Sequence, residues 1–286
     1  MYTNKSYNSK LCYGVSGVIE ALLIIALVAI VIGIIQTVYI PEVMKQREAE
    51  HMDEVSNQFS YMKAMMDITA GSNVPVFSTV TLASSELPYF VTARSYGTLR
   101  VIDKDDAKSH INISFQTGPP VYLTSITSIK YEADNSYFVD QIYVLEGGGI
   151  FIDQPDGNST MRVPSSVSFV NGSSVVTVRF DLPVFIGVPG KKTTEEIGGN
   201  LMKCIIRTNY SRNDPLYSVP NVNSIQIYTD YVHAWKDALK DLAKGAVNAA
   251  ISSNGDYVEL TSPNKTFTVE VNKIYYYVQI GPGWIR

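Results

Sequence analysis

The chain has 286 residues, 23 Lys and Arg against 27 Asp and Glu, and a net charge of −4. No basic run is long enough to track a phosphate backbone, which sets nucleic-acid binding aside. Apolar residues crowd into 15–40, while the remainder is rich in Ser, Thr, Asn, Tyr and Val, a bias that suits twisted β-sheet with polar turns.

Residues 1–14 form a short basic leader with Lys5 and Lys10 and no acid. From Val15 to Ile40 the only residue charged at neutral pH is Glu20, and Ala21–Ile35 is unbroken apolar sequence. At 1.5 Å per residue the segment 15–40 makes about 39 Å of helix, enough to cross a bilayer. Glu42, Glu48, Glu50, Asp53 and Glu54 follow the span. The positive-inside rule therefore puts the N-terminus in the cytoplasm and the C-terminal part outside the cell. The apolar run passes into Gln36–Ile40 and Pro41 without a small-x-small cleavage site, so the helix is expected to stay attached.

Residues 41–70 read as an amphipathic stem helix. Met52, Val55, Phe59, Met62 and Met66 are spaced 3, 4, 3, 4 and form one apolar seam. That seam packs either against the chain's own β-domain or between subunits. Cys12 and Cys204 lie on opposite sides of the span, so no disulfide framework is expected.

Beyond Gly71 the period changes from 3.6 to 2. Residues 74–82, 111–116, 121–131, 137–145, 174–180, 222–228, 257–260, 266–271 and 274–280 alternate as strands do. Asn171-Gly172 signals a two-residue hairpin, and Pro155-Asp156-Gly157-Asn158 and Ser262-Pro263-Asn264-Lys265 read as turns. One late helix, at about 230–251 with Thr229 as its N-cap, carries Val232, Trp235, Leu239, Leu242 and Ala246 on one face. The expected fold is α+β: a long N-terminal transmembrane and stem helix, then a mostly antiparallel, sandwich-like ectodomain at 74–286 with one packed helix.

Five Asn-x-Ser/Thr triplets, at Asn112, Asn158, Asn171, Asn209 and Asn264, are candidate glycosylation sites. His51, His110 and His233 belong to no metal-ligand pair, and Asp153, Asp156 and Asn158 make an incomplete calcium set. Gly187–Thr193 lacks the spacing of a phosphate loop and reads as a flexible, exposed loop. Glu146-Gly147-Gly148-Gly149 reads as an open turn. No catalytic set, metal site or cofactor is expected.

The basic leader, Gly14, the apolar helix and the amphipathic extension together resemble the N-terminus of type IV pilins. YGVSGVIEALLIIALVAIVIGII is most similar to the archaeal branch, which includes archaellins and pilin-like surface proteins. The resemblance covers roughly residues 10–45. It implies that a prepilin peptidase cuts after Gly14, making Val15 the new N-terminus. It implies further that Glu20 pairs with a subunit's N-terminal amine during assembly, and that the retained helix packs with copies or related pilins. Glu20 read by itself is equally an interfacial carboxylate near the headgroups. The alternatives to a filament subunit are a single-pass surface adhesin that does not polymerise and, further off, an anchored exoenzyme.

Overall fold

In a computed structural model the described residues are 10–72, 75–88, 90, 92–155, 157, 159–197 and 203–281. The chain opens with α1 (Lys10–Ile34), a π-helical turn (Ile35–Tyr39) and α2 (Ile40–Ser72), of 25, 5 and 33 residues. Together they make a rod on the order of 95 Å long.

Strands β1 (Val76–Thr81), β2 (Tyr96–Ile102), β3 (His110–Ser114), β4 (Val121–Ser125), β5 (Ser128–Asp134) and β6 (Gln141–Glu146) come next. They are followed by β7 (Gly149–Asp153), β8 (Thr160–Val163), β9 (Val167–Asn171), β10 (Val175–Gly187) and β11 (Thr193–Ile197). After β12 (Lys203–Asn213), β13 (Tyr217–Val222) and β14 (Ser224–Tyr228) comes the one late helix, α3 (Val232–Ala243). The last strands are β15 (Asn248–Ile251), β16 (Tyr257–Thr261) and β17 (Thr266–Ile280). The fold class is α+β, one long apolar N-terminal helix followed by mostly antiparallel sheet.

The described strands form three sheets, where a simple sandwich has two. The first runs β1-β12-β17-β10-β9 with β13 also on β17, the second β11-β2-β5-β6-β7-β8, and the third β15-β16-β14-β3-β4. Among the described residues every strand pairing is antiparallel except β10 with β17, which run parallel from Val175↔Thr266 to Gly187↔Val278. Pro183 interrupts no ladder, because the pairing of β9 with β10 ends at Phe180. There Thr127 stands in for a strand: its hydroxyl donates to Pro183 O at 3.2 Å and accepts from Phe185 N at 2.8 Å.

The strand directions order the head along the stem. β1 starts near the far end of α2, and Thr81 at its end lies beside His51 and Gln58. It therefore runs back toward the apolar helix. β12 is antiparallel to β1 and β17 to β12, so β17 also runs toward the apolar helix. Its 15 residues span about 50 Å. The stem-side half of this long sheet packs Phe185, Tyr276, Val278 and Ile280 with α2 and the second sheet. The far half packs Val178, Phe180, Phe267 and Val269 with α3 and the third sheet. The second sheet is covered on both faces: Tyr143, Leu145 and Ile150 enter the stem-side core, and Val144 and Phe151 the far one.

Several sequence expectations need correction. The late helix stops at Ala243, not near Ile251, because Lys244 (φ 46°) and Gly245 (φ 82°) are left-handed and Asn248–Ile251 then pairs with β16. Thr229 is not its N-cap: Tyr231 occupies that position, and the Thr229 hydroxyl accepts from Tyr231 N and donates to Glu146. Residues 121–131 are two strands of different sheets, divided at the buried Ile126 and Thr127. Residues 266–271 and 274–280 are one strand, since β10 pairs with it across Asn272 and Lys273. The Asn171-Gly172 hairpin forms with a longer loop, closed by Gly172 N donating to Val175 O at 2.9 Å.

Candidate functional site: the apolar helix and its junction with the head

Gly17–Ile34 is exposed on every side. Twelve large apolar side chains between Val18 and Ile34 stand 48–66% exposed. Leaving them in water would forfeit on the order of 20–30 kcal/mol of burial free energy. A core helix of the head would bury such residues, whereas the most apolar 18-residue window here is 0% buried. This helix is long and apolar enough to cross a membrane. Glu20 is exposed within it. The Gly14–Val15 bond lies in the second turn of α1, and the side chains of residues 10–16 are outside the described set.

The α-helical ladder changes at the end of the apolar stretch. Ile40 N–H bonds back five residues to Ile35 O, one residue ahead of Pro41. Proline has no N–H to give and its ring crowds the carbonyl four residues back, so a wider π-turn lets the rod continue through Pro41. Thr37 Oγ1 donates to Gly33 O at 2.8 Å across this turn.

Below that point burial begins at once, with Ile40 at 2% and Met44 at 1% exposed. Met52, Val55, Phe59, Met62 and Met66 are all buried in the chain's own stem-side core. Of the two readings of the seam, packing against the β-domain is the one realised. Tyrosine hydroxyls fix its ends: Tyr143 OH lies 3.0 Å from Met52 O, and Tyr276 OH lies 3.1 Å from Met66 O. Burial pushes the Tyr143 phenol up to about 12.

The polar face of the stem is also engaged. Glu48 is 0% exposed, and its carboxylate accepts from Ser136 N (3.1 Å), Tyr137 N (2.7 Å) and Phe138 N (2.7 Å). Three backbone donors converging on one carboxylate make a strong, directional clamp on the loop between β5 and β6. Arg47 Nη1 donates to Glu86 O at 3.0 Å. His51 Nε2 donates to Thr81 O at 2.9 Å, and burial holds the ring's pKa below the ordinary imidazole value. Sequence reading placed Glu48 among the flanking acids, because its donors lie about ninety residues away.

A second buried carboxylate sits between the cores. Glu146 Oε1 accepts from Thr229 Oγ1 (2.8 Å) and Trp235 Nε1 (3.1 Å), and Oε2 accepts from Ser109 Oγ (2.9 Å). Burial raises its pKa, partly opposed by these hydrogen bonds. The Glu146–Gly149 turn is not open. Gly147 (φ 55°) and Gly148 (φ 75°) form a buried two-residue hairpin, and a Cβ on Gly147 would lie 2.7 Å from the Trp235 ring.

Asn171 and Asn264 lie in neighbouring turns at the end of the head far from the stem, where Lys265 Nζ donates to Asn171 Oδ1 at 2.7 Å and Asn264 is left-handed in an exposed turn. Asn112 is mid-strand in β3. Asn209 lies in β12 with its side chain outside the described residues, and Asn158 is outside them altogether. Gly187–Thr193 is held rather than flexible: Val101 N donates to Lys192 O, Ile280 N to Lys191 O, and the Lys192 ammonium pairs with Asp103 and Asp106. Among the described residues no group of three or more His, Cys, Asp or Glu side chains converges to hold a metal ion. A cavity of about 320 Å³ lies between Asp53 on the stem and Arg162 on β8.

These features define a class: a β-rich head carried rigidly on a helix able to enter a membrane. The chain belongs to the family described as a family of unknown function (DUF7289), whose match covers residues 14–275. No curated protein and no solved structure matches it.

Proposed function

We propose that this protein is a structural, non-enzymatic subunit of a type IV pilus-like filament on an archaeal cell surface. The observation that carries the reading is the exposed apolar surface of Gly17–Ile34, continuous with a stem locked into the head. A helix apolar on all sides suits lipid before assembly and a bundle of like helices after it. In this reading the N-terminus is cytoplasmic and the head extracellular, with a prepilin peptidase cutting after Gly14. Glu20, costly in hydrocarbon unless paired, then meets the new N-terminal amine of another subunit. The seam residues stay within each subunit and leave 15–39 for contacts between copies. Asn171 and Asn264, exposed at the far end of the head, are the glycosylation sites best presented to modifying enzymes.

The head also supports a second reading, a single-pass adhesin that does not polymerise. Its third sheet and α3 form a large far lobe of the kind a binding module would present. Mass spectrometry of the mature N-terminus, with mechanical shearing of cells, separates the two. A start at Val15 and release of the chain in sheared filaments is expected for the subunit. A start at Met1 with full retention in membranes would overturn it.

A further inference from the structure

The cavity of about 320 Å³ between the stem and the second sheet brings opposite charges to one space. Gln141 and Tyr143, two residues apart on β6 and so on one face of the sheet, line it together with Ile152 on β7 and Arg162 on β8. Asp53 faces them from α2. Among the described residues neither the Asp53 carboxylate nor the Arg162 guanidinium makes a hydrogen bond or an ion pair. Both are nevertheless felt at one hydroxyl of the cavity wall. Burial is the main cause of the raised Tyr143 pKa, Asp53 adds to it and Arg162 opposes it. Gln141 is only 8% exposed. Its Oε1 accepts from Tyr143 OH at 2.7 Å, which fixes the amide, and among the described residues its Nε2 has no acceptor. A buried amide nitrogen is costly to leave unpaired, so an acceptor inside the cavity would satisfy it.

We propose that this cavity binds a small zwitterion, an apolar α-amino acid, with its ammonium on Asp53 and its carboxylate on Arg162. The wall carries one charge of each sign, so an occupant with a single charge is attracted at one end and repelled at the other. A sugar would answer both charges with neutral hydroxyls. An amino acid answers both with charge-assisted hydrogen bonds, about twice as strong as neutral ones. Gln141 Nε2 supplies a further donor for its carboxylate. Phe138 and Ile152, both half-buried, offer apolar surface to its side chain. The volume stands at the lower end of the range of about 300–1,000 Å³ found for small-ligand sites, which suits a single amino acid. Stem and sheet each contribute one of the two charges, so the occupant bridges them. The inference goes beyond the filament and adhesin readings and holds under either.

The test titrates L-leucine by calorimetry into the full chain in detergent micelles, with empty micelles as the blank. Three further probes are run beside it: isoamylamine, which lacks the carboxylate, isocaproate, which lacks the ammonium, and glucose. The expected result is saturable binding of L-leucine at least about tenfold tighter than of either single-charge analogue, and none of glucose. Asp53→Asn should weaken L-leucine about tenfold and leave isocaproate no weaker, and Arg162→Gln should weaken L-leucine likewise and spare isoamylamine. Both side chains are exposed, so each variant should keep the thermal unfolding of the parent. Absence of saturable heat with L-leucine up to about 10 mM would overturn the proposal. So would analogues that bind as tightly as L-leucine, glucose binding in its place, or L-leucine affinity unchanged in both variants. If a variant does not fold, the comparison of L-leucine with its two analogues on the native chain decides alone.

Discussion

The indole nitrogen of Trp235 donates to the buried carboxylate of Glu146 at 3.1 Å, and the same ring covers Gly147, the next residue. One side chain of α3 thereby satisfies a charge and seals a turn of the second sheet. Burial raises the pKa of Glu146 above its ordinary value of 4.5. An acid with a raised folded pKa takes up a proton on folding, so stability falls as pH rises from about that value through the folded pKa. Glu146→Gln should remove this slope. Its Oε1 can still accept from Thr229 and Trp235, and its amide can donate to Ser109 Oγ. Urea unfolding across pH 4.5–8 in detergent should show the variant gaining on the parent as pH rises. Glu146→Ala, which strands three donors, should cost about 3–5 kcal/mol.

Gly97 lies beneath the Leu82 carbonyl that Tyr131 OH also meets, at 2.6 Å. A Cβ there would sit 1.6 Å from Leu82 O. Gly97→Ala should cost about 3 kcal/mol or more, because backbone rather than a flexible side chain would have to move. Thermal unfolding reads this directly.

Glu48→Gln replaces one of the two acceptor oxygens with a donor that faces backbone N–H groups. The expected loss is about 1–3 kcal/mol, concentrated in one loop. Hydrogen exchange at Ser136, Tyr137 and Phe138 should quicken while the amides of β5 keep their protection. Unchanged exchange at those three amides would count against the clamp.

Phe59 is fully buried, its ring 6.0 Å from that of Tyr143. Phe59→Ala should cost about 3–5 kcal/mol of head stability in dispersed single chains. A seam that worked only between subunits would leave the stability of single chains unchanged.

The apolar helix and the seam were legible because both are periodic and local. Val15–Ile40 needs only its own composition to be recognised, and Met52 to Met66 needs only its spacing. The partner of that seam was not legible, since Tyr143 and Tyr276 reach it from far along the chain. Propensity misled at Asn248–Ile251, where two alanines continue a helical pattern but pairing with β16 wins. β12 carries little strand signal because Arg, Asn and Ser dilute its alternation, and its place comes from strands on both sides. Glu146-Gly147-Gly148-Gly149 was readable as a turn from its glycines, but its burial depends on Trp235. The two carboxylate clamps carry no sequence signal at all. An acid in the sequence does not announce the donors that surround it in the fold.

The parallel pairing of β10 and β17 over thirteen positions, from Val175↔Thr266 to Gly187↔Val278, gives the molecule a direction of strength. A tug on the Asn171–Gly172 end, with the apolar helix held fast, pulls along these strands and slides one past the other. Their hydrogen bonds lie across that line and share the load in shear, so no single rung can fail first as it would in unzipping. The head is thus stiffest along the line from its far tip to its root.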